Sequence, residues 1–541
     1  MFIDANTIAK NTIIKTDVCI VGAGAAGITL ARELAGQRFE VCLLESGGLQ
    51  LDIETQSLYR GSSVGYPYLP IEATRLRYFG GTTNHWGGAC RPLDPMDFEE
   101  RAWVPYSGWP FDYDHLAPFY RRAHNVLQLG PFAYTAEEWI RSETRPRLRP
   151  AAFDGQTLRN AVLQQSPPTR FGEVYRSAIE RAPNVRTYLN ANILEIETAE
   201  AASAVRRLRV ATLARNDFFV SARAYVLATG GIENARLLLL SNKTNPKGVG
   251  NMNGLVGRFF MEHPIAGWAT LATVAPLDFP LRFYHDRVDA TMRVNETPSP
   301  ATIWGFVTPS ERTLREEKLL NCGIAVRAEP EPEPEGVSSA RQFKKLITRG
   351  EWPDDFWEHV GNVIADLDDV TVHGWRKLTG RERPTDKIEI AYWAEQQPNP
   401  KSRVYLSDER DAFGQRRIAL DWQLTEQDYR TMRTVLELFG RELGRAGIGR
   451  LRLSPTVLND HRESFFVGSF HHMGTTRMHA DPKQGVVDPN CRMHDVTNLY
   501  IAGSSVFPAT GHANPTLTIV TLALRLADHL KQTMKQTAKV T

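Results

Sequence analysis

The hexapeptide Gly22-Ala-Gly-Ala-Ala-Gly27 has the spacing of a loop that holds a dinucleotide pyrophosphate. Gly22 lets a strand turn sharply, Gly24 allows backbone to approach the phosphates, and Gly27 permits close contact of helix with strand. The helix N-terminus that follows would face the anionic ligand. Glu45, 18 residues beyond Gly27, is placed to accept a hydrogen bond from a ribose hydroxyl, which disfavours NADP. The loop by itself leaves FAD and NAD open, and a ligand-free glycine-rich turn is the bland alternative. His471, His472 and His494 do not read as a metal site, because adjacent residues on a strand face opposite sides. The 5 cysteines are odd in number and widely spaced, which excludes a disulfide framework and a C-x-x-C site. Cys19 and Cys42 fall in apolar runs and read as packing residues.

Elements able to position this loop are legible around it. Ile14 to Val21 is apolar and β-branched, Ala25 to Leu34 is helical in character and closes at Gly36, and Phe39 to Leu44 is apolar again, which makes a β-α-β unit. Val185 to Thr198 and Val205 to Val220 are β-rich and lead into Ala224 to Gly230, so the chain is expected to return to the same sheet. Between Pro264 and about His461 short alternating runs such as Lys387 to Tyr392 and Arg403 to Leu406 predict an antiparallel sheet. The run Glu329 to Glu335, alternating Glu and Pro, predicts an extended exposed loop. Ser338 to Thr348 and Asp354 to Leu367 carry apolar residues at helical spacing. Asn498 to Ile501 reads as a strand, and Pro515 to Leu530 as a helix that proline opens.

Further segments resemble the glucose-methanol-choline oxidoreductases. The likeness begins at Arg75-Leu-Arg-Tyr-Phe-Gly-Gly-Thr-Thr-Asn-His-Trp-Gly-Gly88 and continues at Ala228 to Arg236, at Gly254 to Pro264 and at Phe470 to Leu526, with residues 265 to 460 matching weakly. It implies an α/β chain, α+β overall, with a Rossmann-like FAD-binding domain and a discontinuous second domain on an antiparallel sheet. The expected division is 1–100, 155–264 and 465–541 for FAD binding, 101–154 as a connecting or substrate-domain segment, and 265–464 for substrate binding. FAD is then the cofactor, held by Gly22, Gly24, Gly27, Glu45, Gly80, Gly81, Thr82, His85, Gly503, Ser504, Asn514, Pro515 and Thr516. His85 matches the histidine that joins the flavin covalently in the pyranose-oxidase branch, so covalent attachment, flavin packing and an unrelated surface role are its three readings.

In Phe470-His-His-Met-Gly-Thr-Thr-Arg-Met478 the likeness places His471 at the position of the catalytic base, and in Ala509 to Thr518 it places Asn514 at the second catalytic position. A neutral histidine suits alcohol oxidation, because the O–H proton must leave as the C–H hydride departs. Asn514 is no base but can donate a hydrogen bond to the substrate oxygen. His472 and His512 are candidates for substrate contact, His512 also as a rival base. The helix behind Pro515 would aim its positive end at the flavin.

Bulk properties agree with a soluble, multidomain enzyme. A chain of 541 residues divides into two to four units at roughly 150 residues each. Lys and Arg number 64 against 62 acidic residues, which gives no electrostatic case for nucleic acid. No signal-like N-terminus or 18-residue apolar run is present, so a cytoplasmic protein with no membrane partner is expected. The resemblance implies a carbohydrate hydroxyl as substrate, of a sugar, glycoside or aminosugar, with oxygen or a separate carrier as electron acceptor. Oligomeric state is left open. The alternatives are a non-sugar alcohol, a lyase or isomerase with a structural flavin, and a nicotinamide dehydrogenase.

Overall fold

The computed structural model describes residues 1–141, 149–273, 282–285, 287–295, 297–330, 335, 339, 385–458, 462 and 466–537. Its first sheet runs in the spatial order Phe2–Asp4, Val185–Leu189, Val41–Leu44, Ile13–Val21, Asp217–Leu227, Val205–Ala211, Asn192–Thr198. The first five of these strands are parallel, and the last two close the sheet as an antiparallel meander. Leu499–Ile501 adds a further parallel strand beside Tyr225 to Leu227. Central strands such as Val41–Leu44 are buried on both faces and therefore read as unbroken apolar runs. Helices Ala25–Glu33 and Thr516–Thr537 pack against each other and join the same core.

A second, antiparallel sheet has the order Gly449–Leu453, Pro264–Thr273, Thr385–Ala394, Cys322–Pro330, Thr297–Pro309, Leu158–Gln165, Ala89–Cys90. The strand Leu158–Gln165 thus joins this sheet although it falls within 155–264, because its partner Thr297–Pro309 offers an edge along its whole length. Arg403–Arg410 stands apart from it, in a three-stranded sheet with Arg416–Asp421 and Gly61–Ser63. Glu329 and Pro330 end the strand Cys322–Pro330 opposite Lys387 and Thr385, so the Glu-Pro run begins inside the sheet and not as an exposed loop. Its residues 331–334 lie outside the described residues, as do nearly all of the helical runs expected over 338–348 and 354–367. Among the described residues no helix is long and apolar enough to cross a membrane.

Candidate active site

Both sheets contribute to one cavity of about 580 Å³. Its lining brings together Gly22, Gly24 and Glu45, then Gly81, Thr82, His85 and Trp86, and, from the C-terminal part of the chain, His471, His472, Gly503, Ser504, Asn514, Pro515 and Thr516. Two segments separated by more than four hundred residues are thereby brought together. They meet because Leu499–Ile501 pairs with the strand whose other neighbour leads into the Gly22 loop.

The cradle fits a dinucleotide on its own geometry. Gly22 has φ +100°, open to glycine at no steric cost, and a Cβ on Gly27 would stand 1.8 Å from the Gly22 carbonyl. Gly27 therefore lies behind the cavity wall, where it lets helix and loop touch. Gly24 caps Ala25–Glu33 without any side-chain oxygen, which leaves the first-turn amides free for phosphate. The buried Glu45 carboxylate accepts from the amides of Ala23 at 2.8 Å and Gly47 at 2.9 Å, and so is held at the cavity edge. Gly80 does not line the cavity. Its φ of +99° and the closeness of Asn84 and Gly172 make it the turn that presents Gly81. Arg75, Arg77 and Arg236 converge on Glu233 nearby, an arginine cluster with no distinctive spacing in the sequence.

His471 is half-buried in this lining, and its Nδ1 lies 3.0 Å from both Ser469 Oγ and His263 Nδ1. Its Nε2 has no protein partner among the described residues. Glu262, fully buried, organises this loop. Its carboxylate accepts from the backbone amides of His471 at 2.9 Å, Ser469 at 3.2 Å and His263 at 3.2 Å, from Ser469 Oγ at 3.0 Å, and from the Tyr68 hydroxyl. Burial raises the Glu262 carboxyl above its usual range, and these donors oppose the shift. Burial, with His263 and His472 beside it, holds His471 well below the ordinary imidazole value. The Gly254 to Pro264 resemblance covers Glu262 and His263, yet nothing in the sequence alone pairs them with His471.

His472 lines the cavity, but its Nε2 meets Tyr68 at 3.0 Å and Thr74 at 3.3 Å. His512 is not at the cavity at all. It is fully buried between the rings of Phe306 and Trp393, with Asp94 4.0 Å from its Nδ1, because the loop turns inward at Gly511, which packs on Asp97. Asn514 does line the cavity, and its amide makes no hydrogen bond among the described residues. The described residues hold no group of three or more metal-binding side chains.

Burial pushes His263 down to about 4 and both His472 and His512 to about 3. Unfolded histidines titrate near 6.5, so between about pH 6.5 and 4 the unfolded chain binds protons that the folded one refuses. Stability is then fully present above pH 6.5 and is lost as pH falls. Thermal melts should show a falling Tm from pH 7 to 4.5, with a shallower slope in His512→Leu. A Tm constant over that range would contradict the burial of these rings as neutral groups.

The family comparisons agree with this geometry. The FAD dependent oxidoreductase model matches residues 17–255, and the GMC oxidoreductase model matches residues 398–523. Paromamine 6'-oxidase of Streptomyces fradiae is 26% identical over 94% of this chain and 90% of its own length. The fructose dehydrogenase large subunit of Gluconobacter japonicus is 23% identical over 97% and 100%. A crystal structure of formate oxidase superposes with a TM-score of 0.57 at 16% identity, covering 98% of this chain and 100% of that one. With the cradle at Gly22 and the loop at His471 opening on one cavity, the chain carries an FAD dependent oxidoreductase domain and, toward its C-terminus, a GMC oxidoreductase domain.

Proposed function

We propose that the protein oxidises a secondary or primary alcohol of a carbohydrate to a carbonyl, with His471 as general base. The observation that carries it is His471 itself, a cavity-lining residue whose Nδ1 is engaged by Ser469 and His263 while its Nε2 has no partner among the described residues. Ser469 donates to Glu262, so its oxygen is left to accept from His471 Nδ1–H, which assigns the ring proton to Nδ1 and the lone pair to Nε2. His471 then takes the hydroxyl proton at Nε2, and the Asn514 amide donates to the substrate oxygen and orients it. FAD, when bound, supplies the acceptor for the hydride that leaves the same carbon. The names of the relatives, an aminoglycoside-type oxidase and a fructose dehydrogenase, support a sugar as the alcohol. The test is anaerobic mixing with sugars, glycosides, aminosugars and small alcohols, followed in the flavin band. Bleaching by one of these classes is the expected result; a colourless protein, or turnover without bleaching, would sink the reading. Repeating the reaction in air with peroxide detection separates an oxidase from a dehydrogenase.

His85 belongs to the same reading as the residue that joins the flavin. Its side chain lies at the cavity wall, where partial desolvation together with Arg170 lowers its pKa, which favours the neutral imidazole that attachment needs. Acid precipitation should leave the yellow colour in the pellet. Colour in the supernatant would make His85 a packing residue instead.

A further inference from the structure

The cavity borders a face of the antiparallel sheet that carries two tryptophans. Arg287 and Ala89 both line the cavity. Arg287 stands directly opposite Trp304, and Trp304 opposite Leu163, while Ala89 stands opposite Gln165 and Gln165 opposite Thr302. Directly opposed residues on antiparallel strands share a face, and so do alternate residues along one strand. Arg287, Trp304 and Ala89 are therefore on one side. The intervening residues Val162, Ile303 and Val307 belong to the buried core of the other side.

On the sheet face that Ala89 and Arg287 share, beyond the cavity lining itself, Trp304 stacks against Trp393, with ring centroids 6.3 Å apart and planes 26° from parallel, and both rings are partly exposed. Each indole N–H is already satisfied, Trp393 by the carbonyl of His512 at 3.0 Å and Trp304 by that of Tyr284 at 2.7 Å. These bonds fix the rings and leave their faces apolar. Gly323 gives Trp393 its place, since a Cβ there would come within 2.3 Å of the ring. His512 is two residues from Asn514, so the pair is tethered to the loop that orients the substrate.

We infer that Trp304 and Trp393, with Arg287 at their edge, form the subsite for the ring of a neutral or carboxylate-bearing sugar and discriminate against an aminosugar. This rests on the proposed oxidation of a carbohydrate in the adjoining cavity, whose lining reaches this face at Ala89 and Arg287. A saturated sugar ring presents a face of C–H groups that matches an indole face, while its hydroxyls stay at the rim for hydrogen bonds. The Arg287 guanidinium donates to hydroxyl or carboxylate oxygens and repels an ammonium group.

Ligand-observed NMR titration of the FAD-loaded protein tests the subsite without turnover, using the methyl glycosides of glucose, glucuronic acid and glucosamine. The parent should bind the first two at least tenfold more tightly than the third. Trp304→Ala and Trp393→Ala should weaken the glucoside tenfold or more, and Trp304→Phe should restore most of it. Arg287→Glu, at an exposed position that spares the fold, should reverse the order of glucuronide and glucosaminide. Absence of binding to the parent, tightest binding of the glucosaminide, or parent-like affinity in Trp304→Ala with an intact flavin spectrum would each overturn the subsite. Bleaching separates the two readings: expected affinities with no bleaching by any alcohol leave the subsite and sink the oxidation, whereas sugar bleaching with unaltered affinities in the variants does the reverse.

Discussion

His471→Ala should remain yellow and folded while losing about 10²- to 10⁴-fold in turnover, the range typical of a general base. The fold should survive because the bond from His471 to Glu262 is made by its backbone amide, which alanine keeps. The side chain of His471 makes its hydrogen bonds to His263 and Ser469 and none to the Gly22 loop, so the cradle is untouched. What disappears is the Nε2 lone pair, and added imidazole should restore part of the rate. The depressed pKa of His471 has a consequence for the parent enzyme as well. Its base stays neutral at pH values below 6.5, so the acid limb of kcat/KM should lie below the range of an ordinary histidine. Full activity in His471→Ala would require another base. His472 is poorly suited, since Tyr68 and Thr74 already engage its Nε2, and His512 has no access to the cavity.

How far the sequence reached follows from the range of its signals. The Gly22 loop was legible because strand, turn and helix lie within 25 residues and each glycine answers a local steric demand. The final strand and helix at Leu499–Ile501 and Thr516–Thr537 were legible for the same reason. His512 reads as a cavity residue from its place beside Asn514, but sequence neighbours need not share a surface. One inward turn at Gly511 buries it between two rings contributed by strands more than a hundred residues away.

Residues that act through others were the least legible. Arg75, Arg77 and Arg236 form one cluster around Glu233 only after the sheet brings residues 75 and 233 together. The Trp304 and Trp393 faces depend on register across several strands, and register is set by which side is buried, a property of the folded sheet. Leu158–Gln165 shows the same limit, since its eight residues would suit either sheet and the partner edge decides.

Glu262 carries the second large expectation. Glu262→Ala removes a fully buried acceptor for three backbone amides, the Ser469 hydroxyl and the Tyr68 hydroxyl. A buried donor left unsatisfied costs about 1–3 kcal/mol, and water entering the vacated space would recover some of it, so a net loss of about 2–5 kcal/mol is expected. The loop bearing His471 should then lose its position, and a misplacement on the order of 1 Å lowers kcat by about 10²-fold. Glu262→Gln discriminates shape from charge. Its amide oxygen can serve the Ser469 and His471 amides, while its NH₂ group must face Tyr68, whose hydroxyl can turn to His472 Nε2 at 3.0 Å. The glutamine variant should therefore keep most of the melting temperature and recover much of the kcat lost in alanine, with KM little changed in both. If alanine melted and turned over like the parent, the carboxylate would have no part in holding the base. A glutamine variant as inactive as alanine but as stable as the parent would instead make the charge on Glu262, opposing the proton that arrives on His471, the property that matters.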